Sequence, residues 1–185
     1  MYTEFEIKFI KIDKDEIRSK LEKIWAKCVK KETLMKRVIF DLWERKYIRI
    51  RYEWDKITCT YKEVAEDTSK IDCVKELETT VGDFETIRQI FIKSGLRQKS
   101  YQENKREVWE IKNECEFMID TWPWLNPFIE IEWNDEKIVK KYVDLLWFDY
   151  ENWLFGSLDV VAEKELQLDK NYVNNKKEIT FNNPL

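Results

Sequence analysis

Charged and apolar residues alternate with a period of two along several short segments of the chain. In residues 2–9, Glu4, Glu6 and Lys8 occupy alternate positions, and phenylalanine or isoleucine occupies the positions between them. Successive side chains of a β-strand point to opposite faces, so this alternation gives a strand with one charged and one apolar face. The same pattern returns in residues 46–54, 73–80 and 127–133. All four segments are therefore predicted to be strands.

Weaker patterns predict the remaining strands and the helices. Five further segments have the residue types of strands, which gives about nine strands in all: 35–42, 57–63, 97–103, 105–112 and 115–121. Apolar residues at helical spacing predict helices at four places: over 13–28, over 83–94, from an Asn134–Asp135 cap through Leu146, and over 157–168. Asp83 is the expected N-cap of the second helix, and Gly95 is its expected end.

The chain is expected to form a single domain over residues 1–168, followed by a polar C-terminal tail over 169–185. Its 185 residues, 43% of them hydrophobic, suffice for one core. Three glycines and three prolines are too few for a chain rich in linkers, and there is no repeat of fixed period. Within the tail, the short apolar segment Ile179-Thr180-Phe181 could add an edge strand.

The charged strand faces carry like charges two residues apart, as Glu-Glu or Arg-Arg pairs. For any one strand, a charged face turned to solvent is the ordinary arrangement in an antiparallel sheet. Like charges at this spacing repel each other on a plain surface, whereas they are stabilised where opposite charges or a ligand face them. Helices with apolar stripes also need an apolar sheet face to cover. We therefore predict an α+β fold, an antiparallel β-barrel of eight or nine strands with a charged polar channel inside and helices packed outside.

Net charge and the absence of certain segments disfavour several classes of protein. The net charge is −4 and the isoelectric point is about 5.3, so the chain as a whole does not attract a nucleic acid polymer. No basic and apolar leader opens the chain, and no apolar run approaches the ~20 residues of a membrane span. The expectation is a cytoplasmic monomer or homodimer without a nucleic acid or membrane partner.

The chain has no histidine, and its four cysteines are widely spaced with no CxxC pair. This composition excludes Ser-His-Asp triads and imidazole bases, and it leaves no recognisable zinc site. Catalysis by this chain must therefore use carboxylates, lysine, arginine and metal.

Short charged motifs follow one another in a fixed order along the predicted strands. The first strand carries ExExK, and later segments carry RxR, TxK, ExE, a single arginine, an aspartate and a second ExE. Their residues are, in order, Glu4, Glu6 and Lys8; Arg49 and Arg51; Thr60 and Lys62; Glu76 and Glu78; Arg106; Asp120; Glu130 and Glu132. Each motif alone is weak, but their order over residues 4–132 resembles that of the CYTH, or triphosphate tunnel metalloenzyme, family, which includes class IV adenylate cyclases and thiamine triphosphatases.

The resemblance implies a small-molecule triphosphate bound inside the barrel with Mg²⁺ or Mn²⁺. These ions prefer to bridge protein carboxylates and substrate phosphates, and the metal ligands implied by the resemblance are Glu4, Glu6, Asp120, Glu130 and Glu132. Arginine and lysine neutralise phosphate oxygens, and the implied substrate-binding residues are Lys8, Arg49, Arg51, Lys62 and Arg106. The resemblance also implies catalytic roles for Glu76, Glu78 and Lys8. The two glutamates either ligate a second metal or orient an attacking water.

Two positions depart from the family pattern. The family often has KxR before the aspartate strand, whereas this chain has Asn104 and Arg106, with Lys105 between them and pointing the other way in a regular strand. One phosphate contact is therefore expected to be missing. The last ExE motif usually has a glycine before its aromatic residue, whereas here Asn126-Pro127 precedes Phe128, so the turn that enters this strand is expected to differ.

Three functions remain open at this point. The first is metal-dependent hydrolysis of a triphosphate, either inorganic tripolyphosphate or a nucleoside or thiamine triphosphate. The second is cyclisation of ATP to cyclic AMP and pyrophosphate, in which the ribose 3′-hydroxyl attacks the α-phosphorus instead of water attacking the γ-phosphorus. The third is a polyphosphate- or nucleotide-binding module without turnover. Hydrolysis is favoured because the phosphate-binding set is clear while no motif for a base or ribose is visible.

Overall fold

A computed structural model describes residues 2–43, 45–67 and 70–183, although the side chains of Tyr2 and Glu4 are not part of that description. The strands are β1 (Tyr2–Phe9), β2 (Lys27–Asp41), β3 (Lys46–Glu53), β4 (Lys56–Val64), β5 (Val74–Val81), β6 (Arg97–Ile111), β7 (Cys115–Thr121), β8 (Phe128–Trp133) and β9 (Glu178–Ile179). The helices are α1 (Lys14–Lys23), α2 (Phe84–Lys93), α3 (Glu136–Leu145), α4 (Leu158–Leu166) and α5 (Lys170–Asn174), with one 3₁₀ turn at Tyr150–Asn152.

Eight antiparallel strands pair in the order β2-β3-β4-β5-β1-β8-β7-β6, and β6 pairs in turn with β2. The curled sheet thus closes on itself by backbone hydrogen bonds. β9 adds a short parallel pairing to β6, with Ile179 opposite Gln102. The predicted α+β fold, an antiparallel sheet of eight or nine strands with helices outside, is confirmed.

Helices cover the apolar outer faces of the sheet. Ile17 and Leu21 of α1 and Tyr142 of α3 are buried in one cluster with Ile7 and Phe117 from the strands. α2 covers β2 and β3, where the rings of Phe40 and Phe91 meet edge to face at 5.4 Å. The C-terminal helices α4 and α5 pack on a third cluster. Most apolar strand residues pack outside under the helices, so the charged residues that alternate with them face the interior, where they line the cavity together with a few apolar residues such as Met118 and Phe128.

Aspartate caps fix where three of the main helices begin. The side chains of Asp13, Asp83 and Asp135 accept hydrogen bonds from backbone N–H groups in the first turns of α1, α2 and α3. Asp83 was the predicted cap, and Gly95, with φ +89°, follows the end of α2 as predicted. The predicted Asn134–Asp135 start of the third helix is likewise confirmed, with Asp135 as the cap.

The helix predicted over 13–28 is shorter in the structure. α1 ends at Lys23, Trp25 has φ +67° and is 86% exposed, and β2 already begins at Lys27. The helical spacing of Trp25 and Cys28 was misleading. Pairing of Cys28 with Trp109 of β6 is a long-range interaction that local spacing does not reveal.

The two strands predicted over 97–103 and 105–112 are one continuous strand, β6. β2 pairs with β6 along its length, from Lys27 opposite Glu110 to Asp41 opposite Arg97. The register shifts at three places in this pairing, as it does at β-bulges. β2 is therefore also longer than the predicted 35–42.

The C-terminal residues 170–183 lie against the barrel. Val173 of α5 and Ile179 of β9 are buried with Trp122 and Val161. The short apolar segment expected to pair as an edge does so through Ile179, while the domain boundary at 168 stays a prediction. Within the described ranges, no helix is both long and apolar enough to cross a membrane.

Candidate functional site

A cavity of about 470 Å³ lies inside the barrel and is lined by the charged faces of the strands. Its lining includes every sequence-predicted site residue whose side chain is described: Glu6, Lys8, Arg49, Arg51, Lys62, Glu76, Glu78, Arg106, Asp120, Glu130 and Glu132. Glu4 lies in β1 opposite Val74 of β5, but its side chain falls outside the described residues. The cavity is within the range of ~300–1,000 Å³ that small-molecule sites occupy.

Two arginines of β3 project into the cavity side by side. Arg51 Nε donates to Glu53 Oε1 at 2.6 Å, whereas Arg49 lies 3.9 Å from Glu78 and 3.4 Å from the Thr60 hydroxyl. Burial and the charge of Arg49 lower the pKa of Arg51 to about 10, although Glu53 acts in the opposite direction. The pair is therefore only partly neutralised by its surroundings, and an anion bound here would relieve the repulsion.

The lysines of β1 and β4 that line the cavity form ion pairs with nearby glutamates. Lys8 contacts Glu6 and lies 3.6 Å from Glu130, and Lys62 contacts Glu76. Both lysine side chains are buried, at 4% and 9% exposure for the whole residue. In the free protein, each lysine thus contacts a carboxylate. A bound phosphate would compete with that carboxylate for the lysine, and a bound metal ion would compete with the lysine for the carboxylate.

Arg106 and Asp120 form a buried ion pair in the cavity. Arg106 donates to Asp120 from Nε at 2.7 Å and from Nη2 at 2.6 Å, and it also contacts Glu130. Asp120 accepts a further hydrogen bond from the Asn104 amide at 3.1 Å. Although burial opposes ionisation, Arg106 and Lys8 lower the pKa of Glu130 to about 2. Charge-assisted hydrogen bonds thus join Arg106, Asp120 and Glu130 in this half of the site.

The two departures noted in the sequence have structural counterparts. Asn104 is buried and faces Asp120, while Lys105 is exposed and lies 5.1 Å from the Phe181 ring, so the predicted opposite orientation is confirmed. At the entry to β8, the Asn126 backbone N–H donates to Glu165 of α4 at 2.8 Å. The turn before β8, which lacks the glycine usual in the family, is thus hydrogen-bonded to α4.

The structure brings in cavity residues that the sequence did not indicate. Arg37 of β2 lies opposite Arg51, Glu53 ends β3, and Glu110 and Glu116 face each other on β6 and β7. In the strand register, Glu132 of β8 lies opposite Glu116 on one side and opposite Glu6 on the other. A row of carboxylates therefore crosses four adjacent strands. These residues carry no short motif, and only the register of the strands reveals them.

The donor set suits a hard divalent cation, but the carboxylates are not preassembled. Carboxylate oxygens are the ligands that Mg²⁺ and Mn²⁺ take. Among the described residues, however, no group of three carboxylates stands ready to hold a metal ion. Glu6, Asp120 and Glu130 contact Lys8 or Arg106 instead. Metal binding would require these side chains to exchange partners.

Known structures share this fold at low sequence identity. A conserved hypothetical protein from Pyrococcus furiosus matches at 23% identity and a TM-score of 0.69, covering 81% of this chain and 94% of its own. A protein from Vibrio parahaemolyticus, described as a "putative adenylate cyclase", matches at 12% identity and a TM-score of 0.70, covering 88% and 98%. A Hippeastrum protein described as having a dominant triphosphatase activity matches at 13% identity and a TM-score of 0.57, covering 85% and 91%.

These likenesses establish the fold and agree with the resemblance found in the sequence motifs. No protein-family model and no curated protein matches the sequence. The structural neighbours, one described as a "putative adenylate cyclase" and one as having a dominant triphosphatase activity, thus show the fold alone, and the activity of this chain has to be argued from the cavity.

Proposed function

We propose that this chain is a divalent-metal-dependent triphosphatase that binds its substrate inside the barrel. The observation that carries the proposal is a single cavity in which cations from β1, β3, β4 and β6 face carboxylates from β1, β5, β7 and β8. A purely structural network would pair its charges fully, because an unpaired buried charge is costly. Among the described residues, the ion pair that Arg49 forms with Glu78 is long, at 3.9 Å, so its guanidinium group can also bind an anion.

The arrangement supports a division of labour around a triphosphate. Arg49 and Arg51 offer planar guanidinium groups for bidentate contacts with phosphate oxygens, and Lys8 and Lys62 offer point charges. Glu6, Asp120, Glu130 and Glu132, with Glu4, are the residues that would hold Mg²⁺ or Mn²⁺. When bound, such an ion neutralises phosphate oxygens and polarises the phosphorus under attack.

Hydrolysis then requires a base near the water. In the proposed step, water oxygen forms a bond to the terminal phosphorus, the bond from that phosphorus to the bridging oxygen breaks, and the bridging oxygen leaves with the bond's electrons. Glu78 is the better placed of the two candidate glutamates to take the water proton. Its side chain is 28% exposed and accepts from the Thr60 hydroxyl at 2.8 Å, whereas Glu76 is buried against Lys62.

Adenylate cyclase activity is the second candidate, supported by the shared fold of the Vibrio parahaemolyticus protein. It uses the same phosphate-binding residues and differs in the nucleophile and in the phosphorus attacked. A non-catalytic polyphosphate- or nucleotide-binding module is the third candidate. Its support is that the carboxylates of the cavity already contact Lys8 and Arg106.

One experiment separates the three functions. The protein is incubated with tripolyphosphate or ATP and Mg²⁺ or Mn²⁺, and the products are separated by chromatography. Orthophosphate with the diphosphate product supports the triphosphatase, whereas pyrophosphate with cyclic AMP supports the cyclase. Binding without either product supports the module. A Glu78→Gln variant serves as the control for a contaminating phosphatase.

A further inference from the structure

We propose that Arg37 is a substrate-binding residue, and that with Arg49 and Arg51 it forms a subsite for a terminal phosphate group. The inference rests on the proposed function, since it concerns which part of a triphosphate this end of the cavity holds. Arg37 belongs to none of the charged motifs, and it comes from β2, a strand for which the sequence indicated no site residue.

Register places the three arginines next to one another. Arg37 lies directly opposite Arg51 in the β2–β3 pair, and Arg49 is two residues from Arg51 on the same face. Directly opposite residues have Cβ atoms about 4.5–5.5 Å apart, and like charges in that position repel. All three line the main cavity, and Arg37 and Arg49 also line an adjoining pocket of about 130 Å³.

Arg37 is held in place without being neutralised. Its guanidinium carbon lies 4.3 Å from the centre of the Trp122 ring, and Nη2 donates to the side-chain oxygen Oδ1 of Asn104 at 3.3 Å. Its Nε is buried and has no hydrogen-bond partner among the described residues. Within the same residues, no carboxylate lies within ion-pair distance of it, unlike Arg51 with Glu53 or Arg106 with Asp120.

Asn104 joins Arg37 to the ion pair of Arg106 and Asp120. Its side-chain oxygen accepts a hydrogen bond from Arg37, and its side-chain nitrogen donates one to Asp120. The side chain of β6 next to Asp120 is thus a neutral amide, and Arg37 of β2 supplies the positive charge beside it. Burial and the charges of Arg49 and Arg51 lower the pKa of Arg37 to about 9, so it stays protonated near neutral pH while repelling its neighbours.

A terminal phosphate is the ligand that best matches this subsite. It carries more negative charge than a bridging phosphate and has three oxygens for bidentate contacts with several guanidiniums. A cyclic trimetaphosphate has three phosphates but no terminal one. The subsite therefore predicts that the protein prefers linear tripolyphosphate over trimetaphosphate, and that Arg37 is responsible for a large part of the preference.

The test measures dissociation constants by calorimetry in metal-free buffer with chelator, so that no turnover occurs. Arg37→Gln should weaken tripolyphosphate binding about ten- to hundred-fold, the loss expected for one or two charge-assisted hydrogen bonds. Trimetaphosphate binding should change much less. Lys36→Gln is the matched control, because it removes one positive charge from the residue before Arg37, which is exposed. It should leave the dissociation constants for tripolyphosphate and trimetaphosphate unchanged.

Two further measurements separate a binding role from a structural one. The melting temperature of ligand-free Arg37→Gln should equal or exceed that of the wild type, because repulsion among the arginines is relieved. Adding Asn104→Lys to Arg37→Gln should recover most of the lost tripolyphosphate affinity. If Arg37→Gln fails to fold, Arg37→Lys keeps the charge without the planar fork and should show a smaller loss of tripolyphosphate affinity.

The outcomes distinguish this inference from the proposed function. If the wild type binds tripolyphosphate no more tightly than orthophosphate, both fail. If the wild type binds tripolyphosphate tightly and Arg37→Gln, or Arg37→Lys in its place, binds it equally well, the triphosphate site stands and the role of Arg37 is wrong. Equal losses for tripolyphosphate and trimetaphosphate would show a general electrostatic effect and overturn the terminal-phosphate assignment.

Discussion

Asp120 gives the sharpest prediction about stability, because it is buried to 1% exposure and accepts hydrogen bonds from two residues. Asp120→Asn keeps the shape of the side chain but removes the charge that faces Arg106. Breaking a buried ion pair by removing one partner costs about 3–5 kcal/mol. Because Glu130 still contacts Arg106, we expect the lower end, about 3 kcal/mol.

The assay is reversible thermal unfolding without ligand. For a domain of this size, about 3 kcal/mol corresponds to a fall in melting temperature of roughly 6–12 °C. Asp55→Asn is the matched control, since Asp55 forms an exposed ion pair with Lys30 at 3.0 Å and its loss should change little. If Asp120→Asn has the same melting temperature as the wild type, Arg106 is well solvated in the cavity, and its ion pair with Asp120 does not contribute to the free energy of unfolding.

The remaining predictions concern pH and individual carboxylates. Glu130 has its pKa lowered to about 2 in the folded protein, so its contribution to stability is complete above its ordinary value of 4.5 and is lost as pH falls towards 2. The difference in melting temperature between wild type and Glu130→Gln should therefore be constant above pH 5 and shrink below it; a constant difference down to pH 2 would contradict this pKa. Glu6→Ala should abolish triphosphatase activity with a small change in melting temperature, because Lys8 keeps Glu130 at 3.6 Å; a melting loss as large as that of Asp120→Asn would mark Glu6 as structural. Glu78→Gln should lower kcat by about 10²-fold or more with KM nearly unchanged, as expected for loss of a general base, and an unchanged kcat would transfer that role elsewhere.

Residues on regular strands were predictable because a period of two fixes which face each side chain takes. The ExExK, RxR and ExE motifs therefore gave the cavity lining correctly, from Lys8 on β1 to Glu132 on β8. The caps Asp83 and Asp135 were predictable because capping is a local interaction.

What the sequence did not reveal depends on pairing between distant segments. The continuity of β6 through Asn104 follows from β2 running alongside it, and the early end of α1 follows from the start of that same strand at Lys27. Arg37 was missed for the same reason. It sits beside Lys36 in a run of mixed charge, and only its register opposite Arg51 places it at the cavity.

The central claim is that the charged interior binds a triphosphate, and thermal melting with ligands tests it most directly. A ligand that binds only the folded state at 100 times its Kd adds about 2.7 kcal/mol, or roughly 5–11 °C in melting temperature. Mg²⁺ with a non-hydrolysable tripolyphosphate analogue should give a shift of this size, larger than the shift from either alone, since linked binding is reciprocal. Orthophosphate at equal ionic strength is the control. If the analogue shifts the melt no more than orthophosphate, with or without metal, the cavity is a structural charge network and the triphosphate site does not exist.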